Sequence, residues 1–323
     1  MKKVTVAIAT YNMAGYLREA LASALSQDHP DFEVVVLDDG STDETRQVVR
    51  SYGRRVRYYW QDNSGVAVAY NRLLELAKGD YVHHLDADDV LTPGALRRLA
   101  NLLDGYPSAG LAYGDSLVTD SKGRVTGTRP APASFAGRML IPSVEAFKSL
   151  LNGCHITTSA VMLRKSVLKN VTPFRQKAVP GEDWDMWLRV AAAYDIGHIP
   201  FSACYYRVHG TSITSAYTAR GVLRSHLFTL DTIFGNPRFR YGYMRDYAYS
   251  SLERTVARVA ARSGDRGRFL AEMRNAIVRR PGIVLEGETL SVLGEAAKSL
   301  VPNPVLEAGK RVRNGLTTKW SPQ

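Results

Sequence analysis

Three carboxylates end the run of residues 81–89, and their spacing suits a divalent metal ion. Successive side chains of a strand point to opposite faces, so Asp86 and Asp88 would lie on one side with Ala87 between them. Carboxylate oxygens about 7 Å apart along a strand suit Mg²⁺ or Mn²⁺, which can bridge a protein to substrate phosphates. An acidic turn that caps a helix starting near Pro93 is the alternative, and both readings stay open on this stretch alone.

The elements before this acidic run follow a strand–helix–strand pattern. Residues 4–12 begin with a β-branched run, apolar side chains repeat at helical spacing over 17–25, and 32–37 is a second apolar run. This order predicts parallel strands joined by a crossover helix. Ligands of open parallel sheets bind outside the carboxyl ends of strands. We therefore expect one crevice to collect the polar clusters that follow the predicted strands, namely Thr10-Tyr11-Asn12, Asp38-Asp39 and Asp86-Ala87-Asp88.

Two common phosphate-binding patterns are missing from the sequence. No GxGxxG follows the first predicted strand, and no GxxxxGK[ST] occurs at any position. These absences argue against a dinucleotide-dependent oxidoreductase and against a P-loop phosphotransferase.

Taken together, these motifs make the first 215 or so residues resemble an inverting family 2 glycosyltransferase with the GT-A fold. The resemblance implies an α/β fold in which a Rossmann-like, mostly parallel sheet carries flanking helices. It implies a nucleotide-sugar-binding and catalytic domain over residues 1–215, followed by a smaller, basic, all-helical region over 216–323.

The resemblance also implies where the nucleotide sugar would bind. Tyr11 would pack against the base, and Asp39 would accept a hydrogen bond from a uracil ring, which discriminates against bases without that donor. Tyr70 departs from the family pattern, because many relatives carry arginine there. The residues implied in donor binding are Ala9, Thr10, Tyr11, Asn12, Asp39, Asn63, Gly65, Asn71, Asp86, Ala87 and Arg207.

The run of residues 86–88 resembles the DXD motif of this family. By that resemblance Asp88 is the principal metal ligand, and Asp86 faces the ribose or a metal-bound water. Arg207 and His209 resemble the family's R-x-H-x-x-S segment, where an imidazole can complete a site for Mn²⁺ or Mg²⁺ and arginine can meet the leaving phosphate. A purely structural role for His209 stays open.

A second acidic group, Glu182-Asp183, matches the family's "ED" signature. Inverting sugar transfer needs a carboxylate that removes the proton of the acceptor hydroxyl, and Asp183 is the candidate base. Glu182 would hold a neighbouring backbone group or cation, Trp184 would offer a platform to the acceptor sugar, and His155 would contact the acceptor. The alternative is that Asp183 caps a helix and Trp184 anchors that helix in the core.

Composition indicates one sizeable domain with a smaller appendage, since the chain has 323 residues and 45% hydrophobic content. Its two cysteines, Cys154 and Cys204, form neither a disulfide framework nor a zinc-ligand pattern. No apolar run approaches the roughly 18–20 residues of a membrane span, and the start lacks a secretion-signal pattern. We expect a cytoplasmic enzyme, soluble or peripheral at the inner face of the plasma membrane.

Positive charge is concentrated in the last third of the chain. Residues 220–323 contain 18 Lys and Arg against 9 Asp and Glu, and the whole chain carries a net charge of +11. Helical spacing predicts a hairpin that turns at residues 263–265, and a basic segment follows at 310–320. The region could contact anionic lipid headgroups, bind another chain, or form a solvated cap. Nucleic acid is disfavoured because no recognised binding module accompanies the charge.

Three functions would use residues of these types. The favoured one is a metal-dependent inverting glycosyltransferase that moves a sugar from a nucleotide sugar, with UDP-sugar preferred, to a hydroxyl of a glycan or lipid-linked glycan. A nucleotidyltransferase predicts a glycine- and lysine-rich loop after the first strand, and residues 9–15 contain no lysine. A sugar-nucleotide-binding protein without turnover would lack Asp183 or Asp88, and both are present.

Overall fold

The computed structural model describes residues 2–210, 212 and 218–300. The chain divides into two compact units, Met1–Ala216 and Tyr217–Gln323, and each is considered separately below. The domain boundary predicted after residue 215 falls among residues that the structure does not describe, so it stays a prediction.

Within the described residues, the first unit contains a ten-stranded sheet. Its strand order is β3-β2-β1-β4-β9-β6-β10-β5, with β7 paired to β6 and β8 paired to β10. The strands are β1 Val4–Thr10, β2 Phe32–Asp38, β3 Val56–Trp60, β4 Tyr81–Asp86, β5 Val90–Leu91, β6 Ala109–Thr119, β7 Val125–Arg129, β8 Leu140–Ile141, β9 Val161–Arg164 and β10 Asp195–Arg207.

Helices cover this sheet because its central strands are apolar on both faces. Val6 and Ile8 of β1 share one core cluster with residues of the first, second and fourth helices, and Ala7, on the opposite face, is also fully buried. Such two-sided burial is the rule for parallel strands. The helices of this unit are α1 Ala14–Leu25, α2 Thr45–Arg50, α3 Val66–Leu76, α4 Ala95–Gly105, α5 Ser143–Leu151 and α6 Glu182–Ala193.

The register brings three strand ends to one edge of the sheet. Strand β1 runs parallel to both β2 and β4, so that Thr10 lies beside Asp38 and Ala9 lies beside Asp86. The predicted convergence of the polar clusters after β1, β2 and β4 is therefore confirmed.

The predicted α/β class with flanking helices is confirmed, although the second half of the sheet is mixed. Strand β9 lies antiparallel between β4 and β6. It follows the short 3-10 turn Thr158–Ala160, which contacts the end of β4, so the chain has to run back from that edge.

The second unit is helical, as predicted. Helices α8 and α9 form the expected hairpin, and Asp265 caps α9 by accepting a hydrogen bond from the Arg268 backbone N–H at 2.9 Å. The basic segment at residues 310–320 lies outside the described residues. Within the described part of the chain, no helix is long and apolar enough to cross a membrane. The helices of this unit are α7 Ala219–Phe234, α8 Arg245–Arg262, α9 Arg266–Arg279 and α10 Gly287–Leu300.

Candidate active site

The loops that follow β1 and β2 are joined through Asn12. Its backbone N–H donates to Ser41 Oγ at 2.9 Å, and its Oδ1 accepts from the Thr42 backbone N–H at 2.8 Å. Asn12 has φ of +53°, a left-handed conformation that asparagine tolerates better than most residues. Tyr11 beside it is 48% exposed, so its ring is not part of the core and is available for stacking.

The buried carboxylate of Asp39 organises the next loop. Its Oδ1 accepts hydrogen bonds from Gln61 Nε2 at 2.7 Å and the Ser64 N–H at 3.0 Å, and its Oδ2 accepts from the Gly65 N–H at 2.9 Å. An ionised carboxylate offers about four lone-pair sites, so three protein donors leave room for one more. Asp39 therefore holds the loop in place and can still meet a ligand donor.

Gly40 allows this loop to approach closely. A Cβ at Gly40 would lie 2.8 Å from the backbone nitrogen of Asn63, and its φ of +86° disfavours other residues. Asn63 and Gly65 thus flank the same edge as Thr10, whose carbonyl accepts the Asp39 N–H at 2.9 Å.

Asp86 is held from two sides at the end of β4. The Tyr70 hydroxyl donates to Asp86 Oδ1 at 2.5 Å, and the Asp86 N–H donates to Ser159 Oγ at 3.0 Å. Burial raises the pKa of Asp86 to about 7, and the negative charges of Asp88 and Asp183 add to that rise. Ala87, the next residue, is buried.

Tyr70 is a site residue that sequence reasoning noted only as a departure from a family pattern. Its position on the buried face of α3, with Ala67 and Leu74 at helical spacing, is the signal that could have directed it toward β4. The Tyr70 hydroxyl is a neutral donor beside Asp86, and its hydrogen bond stabilises the Asp86 carboxylate.

Asp88 is in contact with His209, the other end of the predicted metal site. His209 Nε2 lies 2.9 Å from Asp88 Oδ2, and the His209 ring stacks at 4.8 Å between centroids against Tyr16 of α1. The two residues come from the ends of β4 and β10, so long-range folding brings them together.

Arg207 differs from its predicted phosphate contact. The buried guanidinium donates to the Asp88 carbonyl from Nε at 2.9 Å, to Glu19 Oε2 from Nη2 at 2.7 Å, and to the Ser121 carbonyl from Nη1 at 3.3 Å. Its backbone N–H donates to Asp89 Oδ1 at 2.8 Å. Three protein acceptors on three guanidinium nitrogens make Arg207 a brace for the Asp88–Asp89 segment.

The donor set around Asp88 fits a hard divalent cation. Within the described ranges, no group of three or more His, Cys, Asp or Glu side chains forms a complete metal site. Asp88 and His209 nevertheless offer one oxygen ligand and one nitrogen ligand. Several carboxylates lie nearby, and a bound cation would reduce the electrostatic repulsion among them. Mg²⁺ and Mn²⁺ sites of this kind are completed by substrate phosphates and water, so two or three protein ligands suffice.

The acidic pair Glu182-Asp183 at the start of α6 has hydrogen-bond partners of its own. Asp183 Oδ2 accepts from Thr158 Oγ1 at 3.3 Å, and its Oδ1 accepts from the Trp184 N–H at 2.6 Å. Glu182 Oε2 accepts from the Gly181 N–H at 3.1 Å. Burial raises the pKa of Asp183, and burial together with the Asp183 charge raises the pKa of Glu182 to about 7. Raised pKa values are typical of acids poised for proton transfer.

Two adjacent residues connect this pair to the end of β4. In the turn Thr158–Ala160, the Thr158 hydroxyl donates a hydrogen bond to the Asp183 carboxylate, and Ser159 Oγ accepts one from the Asp86 backbone N–H. The charge of Asp183 also contributes to the raised pKa of Asp86. The turn Thr158–Ala160 therefore links the acids after β4 to the acids of α6.

Trp184, predicted as an acceptor platform, is buried near the start of α6. Its side chain is 5% exposed, and its Nε1–H donates to the Leu150 carbonyl of α5 at 2.6 Å. Residues 184, 187 and 188 share the buried face of α6, so these contacts fit the alternative of a helix anchor, and the acceptor platform stays a prediction. Trp184 is a packing anchor between α5 and α6.

Asn71 also differs from its predicted place over the donor. Its Nδ2 donates to the Phe174 carbonyl and its Oδ1 accepts the Phe174 N–H, both at 2.8 Å. Both halves of the amide pair with the backbone of one residue, Phe174, so Asn71 braces the segment that leads into α6.

His155 lies in the loop that precedes the Thr158 turn. Its ring centroid is 5.9 Å from Tyr113 and 6.0 Å from Phe135. Burial lowers its pKa to about 4, which keeps the imidazole neutral. Its contact with an acceptor stays a prediction.

Asp185 is a buried acid that sequence reasoning left without a role. It forms ion pairs with Arg175 and with Arg189, the latter at 2.7 Å, and it is fully buried. The spacing of Asp185 and Arg189 by four residues on a helix was the available signal. These pairs fix α6, and with it the position of Asp183.

Comparison with known proteins indicates a family for this chain. A family model described as glycosyl transferase family 2 matches residues 5–172. An uncharacterized glycosyltransferase of Rickettsia felis is 29% identical over 191 residues, which is 58% of this chain and 31% of that relative. The chain thus spans about a third of the length of the first curated relatives it matches.

Solved structures show the same fold at low sequence identity. S. aureus TarS 1–349 in complex with UDP-GlcNAc has a TM-score of 0.60 at 20% identity and covers 93% of this chain and 82% of its own. The mannosyltransferase PcManGT of Pyrobaculum calidifontis, in complex with GDP-Man and Mn²⁺, has a TM-score of 0.57 at 20% identity over 93% and 87% of the two chains. These likenesses confirm the GT-A type of fold.

Proposed function

We propose, because this chain belongs to glycosyl transferase family 2, that it is a metal-dependent inverting glycosyltransferase. It moves a sugar from a nucleotide sugar, with UDP-sugar favoured, to a hydroxyl of a glycan or lipid-linked glycan. Residues 1–215 carry binding and catalysis.

The observation that carries this proposal is the single turn that contacts both acid groups. Thr158 and Ser159 tie the Asp183 carboxylate and the Asp86 backbone to one turn. A glycosyltransferase needs cation ligands and a base on opposite sides of the same anomeric carbon, and this arrangement supports both roles.

The donor site is proposed at the edge formed by the β1, β2 and β4 ends. The exposed ring of Tyr11 supports base stacking, and the remaining lone pair of Asp39 supports an N3–H donor such as that of uracil. Solved neighbours hold UDP-GlcNAc, UDP or GDP-Man. Asn12 positions Tyr11, and the backbone at Asn63 and Gly65 borders the ribose.

Asp88 and His209, with Asp86 beside them, would hold Mn²⁺ or Mg²⁺. When bound, the cation supplies positive charge that offsets the charge gained by the departing diphosphate. Arg207 acts on this site indirectly, since it fixes the Asp88 carbonyl and the Asp89 carboxylate.

The transfer step is assigned to Asp183. Its carboxylate accepts the proton of the acceptor hydroxyl while that oxygen bonds to the anomeric carbon. The bond from the anomeric carbon to the nucleoside diphosphate breaks on the opposite face, so the configuration inverts. Glu182 keeps the start of α6 in place through the Gly181 N–H, and His155 borders the acceptor.

A thermal-shift panel of UDP, GDP and dTDP, with Mn²⁺ or with chelator, tests the donor site. A ligand that binds only the folded state raises Tm, so UDP with Mn²⁺ should give the largest rise. No rise with any nucleoside diphosphate would reject the proposal.

A product assay distinguishes the other functions. With the UDP-sugar that raises Tm and an acceptor mixture, a glycosyltransferase releases UDP. With UTP and a sugar 1-phosphate instead, a nucleotidyltransferase joins the two and releases pyrophosphate. A protein without turnover releases neither.

The second unit, within residues 216–323, is proposed to contact an anionic membrane surface. Val278 of α9 and Leu285 after it are 73% and 84% exposed, in a region rich in arginine. Apolar side chains among cations are suited to the interface of anionic bilayers. This contact would place the enzyme at the inner face of the plasma membrane, beside a lipid-linked acceptor.

Vesicle co-sedimentation tests this contact. We expect binding to phosphatidylglycerol vesicles, little binding to phosphatidylcholine vesicles, and a loss of several-fold in Leu285→Glu. Val125→Glu alters a residue of the first unit that is 54% exposed, and it should bind like the wild type. Equal binding by the wild type and Leu285→Glu, or no preference for anionic lipid, would contradict the proposal.

A further inference from the structure

Arg129, the last residue of β7, is a cation close to the acidic pair of α6 to which the proposed reaction gives no role. Its Nη2 donates to the Cys154 carbonyl at 2.8 Å, and its guanidinium carbon lies 5.7 Å from the centre of the Tyr206 ring. Two anchors thus fix the guanidinium between β10 and the loop that contains Cys154.

Cys154 touches the candidate base. Its Sγ lies 3.9 Å from Asp183 Oδ2 and 3.3 Å from the Ile156 carbonyl. The chain of contacts therefore runs from Arg129 to the Cys154 peptide and from the Cys154 thiol to the Asp183 carboxylate. Removing Arg129 releases the segment that packs against Asp183.

Four further titratable groups that the charge of Asp183 affects are anionic or neutral. They are Glu182 on its own helix, Asp86 on β4, Tyr70 on α3 and the Cys154 thiol on the loop. Burial raises the pKa of Asp183, whereas the hydrogen bond from the Trp184 N–H and the positive charge of Arg129 lower it. Arg129 thus opposes the desolvation of the carboxylate.

We propose that Arg129 is a positioning residue for Asp183, which it serves by fixing the Cys154 loop against the carboxylate and by placing positive charge beside it. The consequence is that Arg129 favours the anionic form of Asp183, which is the form that can accept a proton, against the effect of burial. The role of Asp183 as base rests on the proposed function, but the arrangement of Arg129, Cys154 and Asp183 does not.

The Cys154 thiol offers a readout that needs no turnover. Burial and the Asp183 charge raise the pKa of this thiol, and the Arg129 charge lowers it. The pH midpoint of Cys154 alkylation by iodoacetamide, followed on its own peptide by mass spectrometry, reports this local charge. The pH midpoint depends on the charge around the thiol, whereas a rate at a single pH also depends on how accessible the thiol is to the reagent.

We expect Arg129→Met to move the alkylation midpoint upward by about one pH unit, the size of an effect from one nearby opposite charge. Arg129→Lys, which keeps the charge, should restore most of the wild-type midpoint. Asp183→Asn should move it downward. Arg124→Met removes an exposed arginine of the same hairpin, paired with Asp120, and should leave the midpoint unchanged.

Turnover supplies the second readout. The acid limb of the kcat profile should move to higher pH in Arg129→Met and return in Arg129→Lys, while KM for the nucleotide sugar changes less than twofold. An unmoved midpoint in Arg129→Met, or an equal shift in Arg124→Met, would overturn the inference. If the midpoint shifts but no sugar transfer is found with any donor, the proposed function fails and the positioning of Asp183 stands.

Discussion

Asp183→Asn is expected to lower kcat about 10³-fold, within the range that a positioned general base contributes. The amide keeps the shape of the side chain and can still accept the Thr158 hydroxyl, but it cannot take the acceptor proton. Binding of the nucleotide sugar should stay near its wild-type value, because the donor contacts lie at the ends of β1, β2 and β4. UDP release and calorimetric Kd measure the two quantities separately.

The matched control is Asp120→Asn, which neutralises a partly exposed carboxylate paired with Arg124 and should turn over normally. The wild-type pH profile adds an independent check. Burial raises the pKa of Asp183, and the base works only as a carboxylate, so kcat should fall as pH decreases through that raised value. Wild-type turnover in Asp183→Asn would reject the assigned base.

Asp88→Ala should raise the Kd of UDP about 100-fold in the presence of Mn²⁺, on the scale known for disturbed metal sites. The variant loses the carboxylate that contacts His209 and would hold the cation. With chelator present, wild type and variant should bind UDP alike, because only the cation-dependent part of the affinity depends on Asp88. Titration calorimetry with and without Mn²⁺ measures the difference.

Asp28→Ala serves as the control for this variant, since Asp28 pairs with Arg97 at a partly exposed position. Its Kd for UDP should match the wild type under both conditions. If chelator leaves wild-type UDP binding undiminished, the assignment of Asp88 as a metal ligand is lost.

Local patterns carried most of the fold prediction. β-branched runs and helical spacing fall into repeating strand–helix units, and parallel pairing then forces Thr10, Asp39 and Asp86 to one edge. The contact between Asp88 and His209 followed from the family resemblance. The convergence of the strand ends, by contrast, depends on the order and direction of the strands, which the pattern of a single sequence indicates.

Side-chain partners across the fold were harder to predict. The Asn71 side chain pairs with the backbone of Phe174, and the Trp184 side chain donates a hydrogen bond to the Leu150 carbonyl. Each pairing depends on which face of the helix meets the neighbouring segment. A helix rotated by one residue would present a different side chain to that segment. Arg129 reaches Cys154 only through the antiparallel pairing of β7 on β6. No spacing rule links residues in that way.

Diffraction from crystals soaked with Mn²⁺ and UDP, with anomalous data at the manganese edge, tests the central claim most directly. The account predicts a manganese peak bonded to the Asp88 carboxylate, with the diphosphate beside it and the Asp183 carboxylate in the same cavity. A manganese peak at another surface, or a bound diphosphate walled off from Asp183, would contradict it.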